Sequence, residues 1–182
     1  MSESTVDQHR ATAQREHRVA RCAVLTVSDT RTPETDAGGG FIRDRLAAAG
    51  HAIADHAIVP DDPEKIAARL DAWLGTTQSK ILNQKSKIDL IVTTGGTGIA
   101  ARDTTVEVVR RRLTKEIEGF GELFRTLSYD AVGPAAMLSR ATGGLAGNTL
   151  LFCLPGSPNA VELALDKLIL PELPHLLWEA RR

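Results

Sequence analysis

Apolar residues in this chain fall into two patterns that alternate: short unbroken runs, and stretches that recur every three to four positions. Residues 22–27 (Cys22-Ala23-Val24-Leu25-Thr26-Val27) are β-rich with no polar alternation, as in a strand covered on both faces of a parallel sheet. The run ends at Ser28-Asp29-Thr30, and a loop with Pro33 and Gly38-Gly39-Gly40 follows. The next helix is predicted over 41–49, with Phe41, Ile42, Leu46 and Ala49 on one side and Gly50 as its stop. Residues 51–59 read as a second strand closed by Pro60. Asp62 then caps a helix and Pro63 opens it, where the missing N–H leaves no bond unmade. Ile66, Leu70, Trp73 and Leu74 form its apolar face.

Residues 76–87 are a polar connection, read as a surface loop or an extended helix end, longer than is usual before such a strand. Residues 88–93 read as a third strand, with Asp89 its only charge. Thr104-Thr105-Val106-Glu107 matches a capping box, which predicts a helix to about residue 113. Helices are predicted over 120–129, with Phe120, Leu123, Phe124 and Leu127 as a stripe, and over 134–138. Residues 149–154 form the clearest late strand. A helix from Pro158 carries Val161, Leu165, Leu168 and Ile169, Pro171 ends it, and a last short helix spans 173–178. Strands alternating with helices predict a three-layer α/β/α fold with a mainly parallel central sheet. Residues 1–18 lack apolar periodicity and read as a disordered tail, leaving 19–182 as a single domain.

Composition narrows the function classes. The chain has 182 residues, 42% hydrophobic and 25% charged, the profile of a soluble globular protein. A net charge of −1 with no basic stripe argues against nucleic acid. Arg110-Arg111-Arg112 point in different directions around a helix, which favours a solvated helix end over a phosphate patch. Cys22 and Cys153 lie inside apolar runs, as buried free thiols of a reducing compartment do. The five histidines show no zinc-ligand spacing. No signal peptide and no run of about 18 apolar residues is visible, so a cytoplasmic protein without a membrane span is expected.

Three strand ends carry the unusual residues: Ser28-Asp29, Thr94-Gly95-Gly96-Thr97-Gly98 and Pro155-Gly156-Ser157-Pro158. Open α/β sheets bind ligands beyond such carboxyl ends. The glycines let the backbone approach a ligand, their N–H groups can face phosphate oxygens, and Thr94 and Thr97 add hydroxyls. A tight turn alone would use the same residues, and the loop matches neither a Walker A sequence nor GxGxxG. Asp103 follows it; capping is the less natural role there because Thr104 already supplies a cap, and a carboxylate beside a phosphate loop suits Mg²⁺. Glu118-Gly119-Phe120-Gly121-Glu122 starts a helix with dipole-favoured acids. Arg140, after Ser139, either reaches phosphates or makes a surface ion pair. No catalytic triad is visible, and no histidine falls in the glycine-rich segments.

Taken together, Thr26-Val27-Ser28-Asp29, Thr93 to Gly98 with Arg102-Asp103-Thr104-Thr105, Glu118 to Glu122, Ser139-Arg140 and Pro155-Gly156-Ser157 resemble, in order, the MoaB/Mog family of molybdenum-cofactor biosynthesis. The resemblance spans about residues 21–178 and is nearest the MoaB branch. It implies a molybdopterin-binding fold and a homotrimer or a hexamer of trimers. It also implies transfer of AMP from Mg-ATP to the terminal phosphate of molybdopterin, with pyrophosphate released and the product passed to the molybdate-inserting enzyme. Active members carry two aspartates, matched here by Asp61 and Asp103 as catalytic and Mg²⁺-binding residues. The remaining motif positions, Ser28, Thr94, Gly95, Gly96, Thr97, Gly98, Glu122, Ser128, Ser139, Arg140, Pro155, Gly156 and Ser157, are expected to hold phosphate or pterin. Branch members without the aspartates suggest the alternative, a non-catalytic molybdopterin-binding scaffold. A molybdate-inserting enzyme would be a longer multidomain chain.

Overall fold

The runs buried on both faces determine the architecture of the computed structural model, which describes residues 19–75 and 88–182. Strand β1 (Arg21–Val27) is followed by helix α1 (Ala37–Ala48), β2 (Ala52–Val59), α2 (Pro63–Leu74), β3 (Leu90–Thr94) and α3 (Thr105–Arg110). Next come β4 (Lys115–Glu116), α4 (Glu118–Val132), a 3₁₀ turn (Gly133–Leu138), β5 (Thr142–Ala146), β6 (Thr149–Leu154), α5 (Pro158–Ala164), a π turn (Leu165–Ile169) and α6 (Leu170–Glu179). One six-stranded sheet has the order β2-β1-β3-β6-β5-β4. The pairs among β2, β1, β3 and β6 are parallel, and β5 and β4 are antiparallel.

Alternate residues of each central strand feed two separate cores. Cys22, Val24, Leu90, Val92, Leu150 and Phe152 pack with α1, α4, α5 and α6. Ala23, Leu25, Val27, Ile91, Leu151 and Cys153 pack with α2 and α3. That is the expected three-layer α/β/α fold, and it explains why these strands have no polar face. Because β1 pairs with β2 on one side and β3 on the other, the strand order reverses at β1. A cleft must open there, beyond the carboxyl ends of β1 and β3.

Several boundaries differ from the sequence expectation. Helix α1 starts at Ala37 rather than residue 41: Asp36 caps it by accepting from the Gly39 N–H, so the triple glycine is its first turn, not a flexible loop. The capping box is not formed. Thr104 makes no side-chain cap bond, and α3 ends at Arg110. Strands β4 and β5 were not expected, and β5 is made of Thr-Gly-Gly-Leu-Ala. Helix α4 extends over Glu118–Val132. Pro171 does not end the helix: the chain widens into the π turn, whose Leu170 N–H bonds back to the Leu165 carbonyl, and continues as α6. A wide turn suits a proline, which lacks the N–H of a regular ladder.

The α2 expectation holds in full, with Asp62 accepting from the Glu64 and Lys65 N–H groups, Pro63 in the first turn and Gly75 left-handed at the end. Both cysteines are free and buried; burial pushes each thiol up to about 12, with Asp89 adding to the effect at Cys22. The three arginines separate: Arg110 pairs with Glu116 and Arg111 is exposed, as expected of a solvated helix end, whereas Arg112 is largely covered and pairs with Asp71. No helix among the described residues is long and apolar enough to cross a membrane. The expectations for residues 1–18 and 76–87 lie outside the described residues.

Candidate active site

Backbone meets backbone at the switch point. Gly95 has φ +94° and donates to the Leu154 carbonyl, and a Cβ there would lie 2.2 Å from the Val27 carbonyl oxygen. A Cβ at Gly156 would lie 3.3 Å from the Gly95 Cα, a tight contact from the β6 side. The ends of β1 and β3 are therefore packed so closely that only hydrogen fits between them at Gly95. Thr94 Oγ1 adds a bond of 3.1 Å to the Pro155 carbonyl. A cavity of about 170 Å³ opens over this junction, lined by Thr26, Ser28, Arg31, Gly38, Thr94, Gly95 and Gly156 among others. A second cavity of about 450 Å³ adjoins it, sharing Ser28 and Arg31 and reaching Asp29, His56 and Pro60.

The two aspartates converge on the glycine loop from opposite directions. A Cβ at Gly96 would lie 2.9 Å from Asp61 Oδ2, and one at Gly98 would lie 2.5 Å from Asp103 Oδ2. Asp61 is placed by the β2–α2 turn, its N–H donating to Asp29 Oδ1 at 3.1 Å. Asp103 closes a tight turn, its carboxylate accepting from the Ala100 N–H and its own N–H donating to the Ala100 carbonyl. Burial raises the Asp61 carboxyl above its ordinary range; the Asp103 and Asp29 carboxylates add to this, while the Thr104 N–H and Arg102 oppose it. Among the described residues, nothing bonds to the buried Asp61 Oδ1. An orphaned carboxylate oxygen crowded by two other carboxylates is a place where a divalent cation would replace a missing counter-charge. No group of three or more His, Cys, Asp or Glu side chains among the described residues could hold a metal by itself. The residues therefore fit Mg²⁺ held jointly with phosphate oxygens, which is how this ion is usually bound.

Hydrogen bonding also leaves the loop with donors to spare. No bond within the protein engages the N–H groups of Gly96, Thr97 or Gly98 among the described residues. Arg140 has no pair of donors left for a bidentate anion contact: its Nε donates to the Thr97 carbonyl at 3.1 Å, its Nη2 to the Asp103 carbonyl at 3.0 Å, and it pairs with Glu107. Glu107, expected in a capping box, is held below the ordinary carboxylate range chiefly by that hydrogen bond from Arg140.

Of the other expected residues, Ser28 Oγ accepts from the Thr30 and Arg31 N–H groups, and Ser157 caps α5 by accepting from Ala160. Ser139 follows the 3₁₀ turn, its N–H bonded to the Ala136 carbonyl. Glu122 is exposed on α4, and the buried Ser128 hydroxyl donates to the Phe124 carbonyl of the same helix. Neither residue lines the two cavities. Sequence reasoning missed Asp36 and His56. Buried Asp36 accepts from Thr26 Oγ1 at 2.6 Å and lies 2.9 Å from His56 Nε2, which puts a histidine beside the cleft after all. Asp36, two residues before the triple glycine, was an available N-cap signal; His56 lies 20 residues away on β2 and gave none.

A family model described as a probable molybdopterin binding domain matches residues 23–175. Molybdenum cofactor biosynthesis protein B of Staphylococcus carnosus is 52% identical over 162 residues, covering 87% of this chain and 89% of the relative. The Bacillus cereus protein of the same name is 45% identical over 179 residues, covering 98% and 99%. A crystal structure of a molybdenum cofactor biosynthesis protein B superposes with a TM-score of 0.82 at 46% identity, over 91% of this chain and 98% of the other. The tungsten cofactor synthesizing protein MoaB from Pyrococcus furiosus superposes with a TM-score of 0.77 at 36% identity, over 91% and 99%. On fold, sequence and the glycine-rich strand ends alike, the chain belongs to the MoaB/Mog family of molybdopterin-binding domains and serves molybdenum-cofactor biosynthesis.

Proposed function

We propose that the protein is a molybdopterin adenylyltransferase, which joins AMP from ATP to the terminal phosphate of molybdopterin and releases pyrophosphate. The observation that carries this reading is the meeting of Asp61 and Asp103 at the glycine loop, with one buried Asp61 oxygen unpartnered. In the reaction a phosphate oxygen of molybdopterin attacks the α-phosphorus of ATP, and the bond to the pyrophosphate oxygen breaks. Both reactants are polyanions, so catalysis consists mainly of positioning and charge neutralisation.

The chain's residues supply both. The N–H groups of Gly96, Thr97 and Gly98, unengaged among the described residues, donate to phosphate oxygens as a backbone nest does, with no need for net positive charge. Asp61 and Asp103 would hold Mg²⁺ on the ATP phosphates, and when bound the ion neutralises charge developing on the leaving pyrophosphate. Ser28 and Thr94 line the smaller cavity; the Ser28 hydroxyl can donate to pterin or phosphate, and Thr94, whose hydroxyl donates to the Pro155 carbonyl, holds the β6 end beside it. The adenylylated product would pass to the molybdate-inserting enzyme.

The chain is also proposed to work as a trimer or a hexamer of trimers. In support, Leu123, Tyr129, Val132, Met137 and Leu138 are each more than half exposed along α4 and the turn after it, an apolar surface of the kind that subunit contacts cover.

Pyrophosphate release from Mg-ATP, with and without molybdopterin, tests the reaction. Release that depends on molybdopterin and disappears in Asp103→Ala is expected. Tight molybdopterin binding without release would replace the enzyme with the scaffold reading.

A further inference from the structure

Arg140 stands outside the residues that the proposed chemistry uses, yet it makes the densest set of bonds to the catalytic loop. It follows the 3₁₀ turn and precedes β5. Its planar fork carries five N–H donors. Nε takes the Thr97 carbonyl, Nη2 takes the Asp103 carbonyl and Glu107 Oε2, and Nη1 takes Glu107 Oε1. The two carbonyls lie at either end of the loop tip that contains Gly98, exposed Ile99 and Arg102. Inside that tip the bonds are local, between Ala100 and Asp103. The Thr105 N–H closes the base of the loop on the Gly96 carbonyl, and the guanidinium is the side-chain brace that ties the Thr97 carbonyl to the Asp103 carbonyl. An arginine committed in this way has no free pair of donors for a bidentate phosphate contact.

Glu107 completes the device from behind. Its side chain is 47% exposed on α3, and among the described residues its side-chain bonds all go to Arg140. It sets the plane of the guanidinium rather than meeting a substrate.

We propose that Arg140, oriented by Glu107, is a positioning residue that holds Asp103 and the Gly96–Gly98 N–H groups in their working geometry. Its functional half rests on the adenylyl-transfer reading. Lysine cannot replace it, because an ammonium is a point donor that cannot span two carbonyls and a carboxylate in one plane.

The test uses the full-length protein with Arg140→Lys, Glu107→Gln and the double variant, first by amide hydrogen exchange over residues 96–105 without ligand. Each single variant is expected to speed exchange there about tenfold, while exchange in the core strands stays as in the wild type. In the pyrophosphate assay each should lower kcat about tenfold or more with the KM values for ATP and molybdopterin within about threefold, since small misplacements act on turnover. The double variant should be no worse than Arg140→Lys, because the two residues act as one unit. Unchanged exchange in both single variants overturns the proposal. So does an Arg140→Lys variant with a KM raised about tenfold at full kcat beside a silent Glu107→Gln, the pattern of a lost substrate contact. The exchange readout needs no turnover, so it decides the brace even where the transfer reading fails.

Discussion

Placing a methyl group at Gly95 tests the junction that creates the cleft. In Gly95→Ala the new Cβ would sit 2.2 Å from the Val27 carbonyl oxygen, more than about 1 Å inside ordinary contact. The obstacle is backbone on both sides, so no side-chain rotation relieves it. The residue would also have to hold φ +94°, which costs a non-glycine residue about 1–3 kcal/mol. Forced overpacking adds roughly another 1–3 kcal/mol. The total of about 2–6 kcal/mol is a large share of the 5–15 kcal/mol that stabilises a typical domain. For a chain of this size it corresponds to a fall in Tm of roughly 5–20 °C.

Gly40→Ala is the matched control. A Cβ there meets nothing within 4 Å, in the first turn of α1. It should stabilise by about 0.5–1 kcal/mol, as alanine does in place of a helical glycine. Thermal unfolding followed by circular dichroism compares the two. A Gly95→Ala protein that melts with the wild type would refute the claim that β1 and β3 meet with no room for a side chain.

Four other outcomes follow from the geometry. Asp61→Asn should abolish turnover yet raise stability at neutral pH: the folded carboxyl has a raised pKa, so its charge opposes folding above that pKa. The gain should fade as pH falls through the Asp61 pKa, and equilibrium unfolding at several pH values checks the sign. Glu107→Gln should lose a few tenths to about 1 kcal/mol at neutral pH, a half-exposed pair being well screened, and the loss should vanish in acid as the wild-type carboxyl protonates. Phe152→Ala, which removes a ring packed edge-on to Phe120 at 4.8 Å, should cost about 3–5 kcal/mol in denaturant unfolding. Val132→Glu with Met137→Glu should shift sedimentation toward the monomer; an unchanged mass would show that this apolar surface is not the subunit contact.

The parts of the fold legible in the sequence were those where one local signal had one cause. The unbroken apolar runs became β1, β3 and β6, the stretch closed by Pro60 became β2, and Asp62-Pro63 opened α2 as written. The antiparallel edge was hidden because its glycines answer to tertiary contacts. A Cβ at Gly143 would strike the Phe152 ring at 2.2 Å, and one at Gly144 would meet the Lys115 carbonyl at 2.1 Å. Residues chosen for such fits carry no strand propensity. Pro171 misled because a π turn, which no local pattern announces, accommodates it.

At the site, the motifs supplied Asp61, Asp103 and the glycine loop, whereas their mutual contacts came only from the fold. Arg140 makes the partly exposed ion pair with Glu107 that its sequence allowed, but its bonds to the Thr97 and Asp103 carbonyls had no local signal because they depend on where the loop folds.

The central claim is a covalent transfer, and its most direct measurement follows the nucleotide itself. ATP labelled in the α-phosphate is incubated with Mg²⁺, molybdopterin and the protein, and the products are separated. The account predicts label in a species that contains both AMP and molybdopterin, formed in step with pyrophosphate and missing with Asp61→Asn and Asp103→Ala. Label that stays in ATP, or appears only as free AMP, while molybdopterin remains bound and unmodified, would contradict it.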